Sequence, residues 1–254
     1  MMTRSCAIVS TAGGLLTKQE GYLVDANDVV IRTGTAPTSG FQPYVGNRTD
    51  YRVMSSAFLQ SYRHINVTKL KKQLGRETIV YVNGNCNRAD RVLNRRKKGV
   101  CFVPAPCTYL HDNYRRQYST GLFAFLYAFQ KVKCTSLVMF GFNTTLNEAY
   151  RYHYWTDGSV HDGKSARSWY KSRERSGHEF GAEHQFFAMV TGSDGRIDHA
   201  TFRAVCSRLP NVFLRRSSAS SSKRLATNSP PRHLSASREK RREAVGTVGS
   251  IPAK

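Results

Sequence analysis

Long apolar runs are missing from this chain. Nowhere do the roughly 20 consecutive apolar residues of a membrane-spanning helix occur, and Met1-Met2-Thr3-Arg4-Ser5 leads into a strand-like segment without a signal-peptide core. The chain as it stands reads as soluble. The six cysteines (Cys6, Cys86, Cys101, Cys107, Cys134 and Cys206) include no Cys-x-x-Cys pair, so a zinc site is not expected, and free thiols or long-range disulfides stay open. Asp-x-Asp is absent too, which removes the usual carboxylate pair for a metal-chelated diphosphate. Acids are scarce: 17 Asp and Glu face 39 Lys and Arg, a formal net charge of +22. Such an excess favours an anionic partner, whether nucleic acid, membrane surface or phosphorylated substrate.

The charge is not confined to one end. Residues 215–254 carry ten Lys or Arg against two Glu, which accounts for +8 and leaves +14 on the rest. This stretch holds Ser217-Ser218-Ala219-Ser220-Ser221-Ser222 and Pro230-Pro231, with too few apolar side chains to offset the entropy of ordering it. It reads as a disordered, solvated basic tail following one domain, 1–214. Within that domain, Cys6-Ala7-Ile8-Val9-Ser10, Val29-Val30-Ile31, Ile79-Val80-Tyr81-Val82 and Cys101-Phe102-Val103 read as short buried strands. Helical stretches such as Val67–Leu74 lie between them, the pattern of an α/β fold with a mainly parallel sheet. Leu122, Phe125, Leu126 and Phe129 have the spacing of one helical face, with Ser119 and Thr120 at the capping positions and a strand predicted at Leu137–Phe140. A late helix is predicted through Phe186–Val190.

Several groups can do chemistry. The helix start Ser119-Thr120-Gly121 offers unpaired backbone N–H groups, two hydroxyls and close approach at Gly121, as a phosphate cradle or simply as a cap. Thr11-Ala12-Gly13-Gly14 follows the first strand but has neither dinucleotide-loop glycines nor a P-loop lysine. His153, His161, His178 and His184 cluster late, among Tyr152, Tyr154, Trp155, Phe180, Glu179 and Glu183. Neutral imidazole accepts a proton from a hydroxyl near pH 7, and imidazolium stabilises a leaving phosphate. The zinc pattern His-Glu-x-x-His is not met, because Ala182 stands at its last position.

Four segments, in order, resemble the sialylmotifs of the eukaryotic sialyltransferases. The first covers Cys6 to about Met54, with Arg32, Ala36-Pro37, Gly40-Phe41 and Val45-Gly46-Asn47-Arg48-Thr49. The second runs from Ser119-Thr120-Gly121-Leu122 through Cys134 to Phe140-Gly141-Phe142. His153-Tyr154-Trp155 is similar to the third, and His178 with Glu183 five positions on to the last. The resemblance implies a Rossmann-like variant of the GT-A glycosyltransferase fold, with helices flanking the sheet. It implies CMP-sialic acid as donor, a glycan hydroxyl on glycoprotein or glycolipid as acceptor, inversion at the anomeric carbon, no metal or other cofactor, and the Golgi lumen as location. His178 would be the general base, and His153 would stabilise the phosphate of the departing CMP. Ser119, Thr120 and Gly121 would contact CMP, Thr11, Gly34, Asn143 and Tyr154 would line the substrate site, and Cys6 and Cys134 would form a disulfide.

This chain departs from the family in two ways. The family usually has Asn where Thr11, Gly14 and Gly34 stand here, and lost side-chain hydrogen bonds at ~1 kcal/mol each weaken donor binding. The anchor, stem and pre-motif segment usual in the family are not seen, which fits either a truncated chain or a divergent member. The alternatives to an active enzyme are an inactive relative and a basic nucleic-acid-binding protein, the latter requiring a continuous basic face with exposed aromatics; no nucleic-acid partner is expected. Removing residues 215–254 should leave nucleotide affinity unchanged in calorimetry; a large loss would show that the basic tail belongs to the site.

Overall fold

The short apolar runs do become strands, and they pair in one sheet. The computed structural model describes residues 3–56, 59, 68, 70, 72, 74–83, 86–93, 99–105, 107, 110, 118–142, 153–155, 180–192 and 195–207. The strands are β1 Ser5–Val9, β2 Val29–Thr33, β3 Tyr51–Ser55, β4 Thr78–Val82, β5 Val100–Cys101, β6 Ser136–Phe140 and β7 Arg196–Asp198. Their order across the sheet is β5-β4-β3-β2-β1-β6-β7. All neighbours are parallel except β6 and β7. The class is α/β with a mainly parallel sheet, as expected. The chain builds outward from β1 to β5 and then returns to place β6 on the other side of β1, so a topological switch point lies between β1 and β6.

Parallel strands are covered on both faces, which is why Cys6-Ala7-Ile8-Val9 is apolar throughout and buried from Cys6 to Val9. On one face Ile8, Ile31, Val53 and Val80 pack with the helix Thr120–Tyr127 and the helices Phe180–Val190 and His199–Ser207. On the other, Ala7, Val9 and Val30 pack with Val24 and Val45 of two short helices, Gly21–Asp25 and Gln42–Val45, and with Tyr154 and Trp155. Leu70 and Leu74 pack against Ile79 and Tyr81, with Leu74 N–H on Leu70 C=O at 2.9 Å, in the stretch predicted to be helical.

The helix Thr120–Tyr127 differs from its predicted one-sided pattern. Every side chain from Leu122 to Tyr127 is buried, because the helix is sandwiched between the sheet and the two late helices. Phe125 meets Phe129 at 5.1 Å and Phe186, Phe187 and Phe202 each at 5.5 Å between ring centroids, and such pairs add about 0.5–1.5 kcal/mol each beyond area burial. The helix runs on into a π turn, Ala128–Val132, ended by Lys133 in the left-handed region. Three strands differ from expectation, one of them β7, since no strand is expected from sequence at Arg196–Asp198. β5 is only two residues long, leaving Val103 83% exposed beyond it. β3 was not predicted as a strand, since its apolar pattern is broken by Arg52, a cation that the fold buries.

All six cysteines are paired: Cys6–Cys134, Cys86–Cys101 and Cys107–Cys206. Cys6 lies inside β1 and Cys134 stands two residues before β6, with 5.9 Å between their Cα atoms. Parallel pairing of β1 with β6 puts both at the amino end of the strands. No described helix is long and apolar enough to cross a membrane. The predicted tail, 215–254, lies outside the described residues. Replacing both Cys6 and Cys134 by Ala should cost about 2–5 kcal/mol, the usual range for a native bridge; an unchanged urea midpoint would show that strand pairing alone holds this end.

Candidate active site

In an open parallel sheet, ligands sit outside the carboxyl ends of the strands at the switch point. Here that is the edge where β1 and β6 end, and three chain segments are stitched together there. Ser10 N–H donates to Phe140 C=O at 3.0 Å, and Ser10 Oγ donates to Gly141 C=O at 2.7 Å. His153 pairs with Ala12 in an isolated antiparallel bridge, and Tyr154 N–H donates to Thr11 C=O at 3.1 Å. The half-buried His153 ring stacks on Trp155 with centroids 4.5 Å apart and planes 22° apart. Thr11 and His153 are thereby brought together.

The helix start lies at the same edge. Gly121 approaches Phe142, just past β6, so closely that a Cβ would stand 2.7 Å from Cε1 of that ring. Asn83 Nδ2, just past β4, donates to Tyr118 C=O at 3.2 Å. Ser119 is the N-cap: its Oγ accepts from Leu122 N–H at 3.1 Å. Its own donors point away from that helix, however. Ser119 N–H reaches Glu183 Oε1 at 2.7 Å, and Ser119 Oγ donates to Glu183 Oε2 at 2.5 Å. Glu183 is only 3% exposed and sits in the first turn of Phe180–Val190. Tyr118 beside it has its phenol pushed up from the ordinary value, first by burial and then by the Glu183 charge.

The structure thus redistributes the residues predicted from sequence. Ser119 positions the helix start, and Thr120 and Gly121 hold the N–H groups that take no partner among the described residues. Gly34 ends β2 in the left-handed region, at φ +62, next to Thr11: a Cβ there would lie 3.5 Å from Thr11 Cγ2. Tyr154, expected to line the substrate site, faces inward instead, 3% exposed, with its hydroxyl on Pro37 C=O at 2.5 Å. Burial pushes that hydroxyl up to about 12 although Arg32 and Arg52 pull it down, so it stays a donor at neutral pH. His178 and Asn143 lie outside the described residues. Sequence reasoning missed Arg52 and the partner of Ser119; a polar residue inside an apolar strand was the only sign of the first, and a contact spanning 64 residues left none for the second.

The description glycosyltransferase family 29 (sialyltransferase) matches residues 2–192. The chain belongs to the family 29 sialyltransferases. It is 26% identical over 185 residues to the CMP-N-acetylneuraminate-beta-galactosamide-alpha-2,3-sialyltransferase 1 of Gallus gallus, covering 63% of this chain and 52% of that protein. It is 39% identical over 72 residues to the beta-galactoside alpha-2,6-sialyltransferase 2 of Takifugu rubripes, 28% of this chain and 13% of that one. A crystal structure of a mammalian sialyltransferase aligns at 23% identity and TM-score 0.46 over 63% of this chain and 62% of that one. The chain spans about half the length of the first of these relatives.

For this family member, Glu183 is the residue whose loss the helix start should feel. Glu183→Ala takes the acceptor from the half-buried Ser119 N–H and should cost about 1 kcal/mol of stability, with Glu183→Gln less harmful because its amide oxygen still accepts. Equal urea midpoints for wild type and Glu183→Ala would show that Ser119 finds another acceptor.

Proposed function

We propose that this chain is the catalytic domain of a sialyltransferase that moves sialic acid from CMP-sialic acid to a glycan hydroxyl, with inversion and without a metal. The observation that carries this reading is the convergence, at the carboxyl edge of β1 and β6, of the Thr120–Gly121 helix start with the His153 segment bridged to Ala12. As the anomeric bond to CMP breaks, negative charge collects on the phosphate. Fixed donors placed where charge develops lower the barrier most. The Thr120 and Gly121 N–H groups, at the positive end of a helix, are such donors, and His153 supplies a proton or positive charge from the other side. Metal independence is supported by the absence of Asp-x-Asp, since the charge is met by these groups instead.

Proton removal from the acceptor hydroxyl falls to His178. It stands five residues before Glu183, which touches Ser119, so a reach of at most about 18 Å of extended chain links it to the helix start. The acceptor is a glycan on glycoprotein or glycolipid. The likeness to enzymes named for a beta-galactosamide and for a beta-galactoside supports this acceptor class, and the Golgi lumen is the compartment where three disulfides and such acceptors coincide.

Calorimetry on the folded protein should show CMP bound in preference to UDP and GDP. His178→Ala should lower turnover by ~10²-fold or more while CMP affinity survives, the usual scale for losing a general base. Binding of CMP without any turnover by wild type would instead identify an inactive relative, and no preference for CMP would remove the sialyltransferase reading.

A further inference from the structure

Beneath the loop that follows β2 lies a buried polar network that the reaction outlined above does not use. Arg32, fourth of five residues in β2, and Arg52, second of five in β3, are register partners on parallel strands, so their side chains leave the same face of the sheet. Both are buried, at 0% and 3% exposure. Arg32 gives Nε to Thr49 Oγ1 at 2.8 Å and Nη2 to Arg48 C=O at 2.8 Å, fastening the segment before β3. Arg52 does something different. Its Nε donates to Glu77 Oε1 at 3.0 Å, while Nη1 donates to Ala36 C=O at 2.9 Å and Gly34 C=O at 3.2 Å. Tyr154 takes the next carbonyl, that of Pro37.

Three of the four carbonyl oxygens of loop 34–37 are therefore turned inward onto buried donors. A carbonyl oxygen facing outward would set the negative end of a peptide dipole against an anionic ligand; drawn inward, it leaves the loop's outer side free of that repulsion. The same loop adjoins Thr11 through Gly34 and the His153 segment through Tyr154. We propose that Arg52, oriented by Glu77, is a positioning residue for donor binding, holding the Gly34 and Ala36 carbonyls away from the anionic nucleotide. This role rests on loop 34–37 belonging to the donor site proposed above.

The chemistry requires an arginine. Only a planar guanidinium can meet a carboxylate through Nε and two carbonyls through one Nη at once; an ammonium on a flexible stem cannot hold all three directions. As a device for stability alone the pair is a poor one. Burying two charges is repaid only when geometry is excellent, and apolar residues of similar volume often serve as well.

The test compares CMP affinity with thermal stability in the whole chain. Arg52→Lys keeps the charge and loses the fork, and it should weaken CMP binding about tenfold in calorimetry, the effect of roughly one lost net hydrogen bond. In turnover assays, the Michaelis constant for the sialyl donor should rise while that for the acceptor holds. Arg52→Met should weaken CMP at least as much, and Arg52→Lys carries the comparison if the Met variant does not fold. Leu93→Ala, in the separate apolar cluster around Ile79 and Tyr81, serves as the control: it should lower the melting temperature while CMP affinity stays at the wild-type value. The role of Arg52 is overturned if folded Arg52→Lys binds CMP as wild type does, or if Leu93→Ala weakens CMP as much for an equal loss of melting temperature. Wild type that binds no CMP would overturn the donor-site reading itself, and the role of Arg52 with it.

Discussion

The pairing of β1 with β6 is the contact on which the rest of this molecule depends. Five residues of each strand run in parallel register, from Ser5 opposite Ser136 to Val9 opposite Phe140. Without that pairing the sheet would grow in one direction only, and no switch point would exist. The same register places Cys6 and Cys134 together at one end of the strands. At the other end it lets Ser10 reach the Phe140 and Gly141 carbonyls. One strand pair is thus covalently closed at its amino end and stitched by hydrogen bonds at its carboxyl end, where the candidate site lies.

Around that open end, the polar side chains that matter most face the protein rather than the solvent. Glu183 holds Ser119, Arg52 holds Gly34 and Ala36, and Tyr154 holds Pro37. Each buried group has a partner that belongs to a loop or helix end at the edge of the sheet. Buried polar networks of this kind are costly when half satisfied and rigid when complete. Their effect is to fix backbone groups in place before any ligand arrives, which is the form of preorganisation electrostatic catalysis requires.

Much of this could be read from sequence where a local rule applies. A serine followed by an apolar helical run predicts the cap at Ser119, and the continuous apolar run Cys6–Val9 predicts a doubly covered strand. The resemblance to the sialylmotifs brought together Cys6 and Cys134, which are 128 residues apart. Where the outcome depends on a distant partner, no local rule reaches it. Nothing near Ser119 in the chain tells which way its donors point, and nothing near Arg52 tells that Glu77 will neutralise it in the core. Cys86–Cys101 and Cys107–Cys206 follow no spacing pattern; they join the helix Cys86–Leu93 to β5 and Cys107 to the helix His199–Ser207.

The three bridges also impose an order on the making of the protein. As the chain grows from its amino end, Cys86 can close with Cys101 after only 15 residues, whereas Cys6 must wait for Cys134 to be synthesised 128 residues later. At about 5–20 residues per second that wait lasts roughly 6–26 s, with Cys86, Cys101 and Cys107 all emerging in the interval as possible wrong partners. Cys107 in turn waits 99 residues for Cys206. Two of the three native bridges therefore join thiols that are not nearest neighbours along the chain, and Cys6 must either stay reduced until Cys134 emerges or be released from an earlier partner. A compartment that isomerises disulfides gives Cys6 a way back from any of the three thiols that precede Cys134, and so keeps the register of β1 beside β6 within reach.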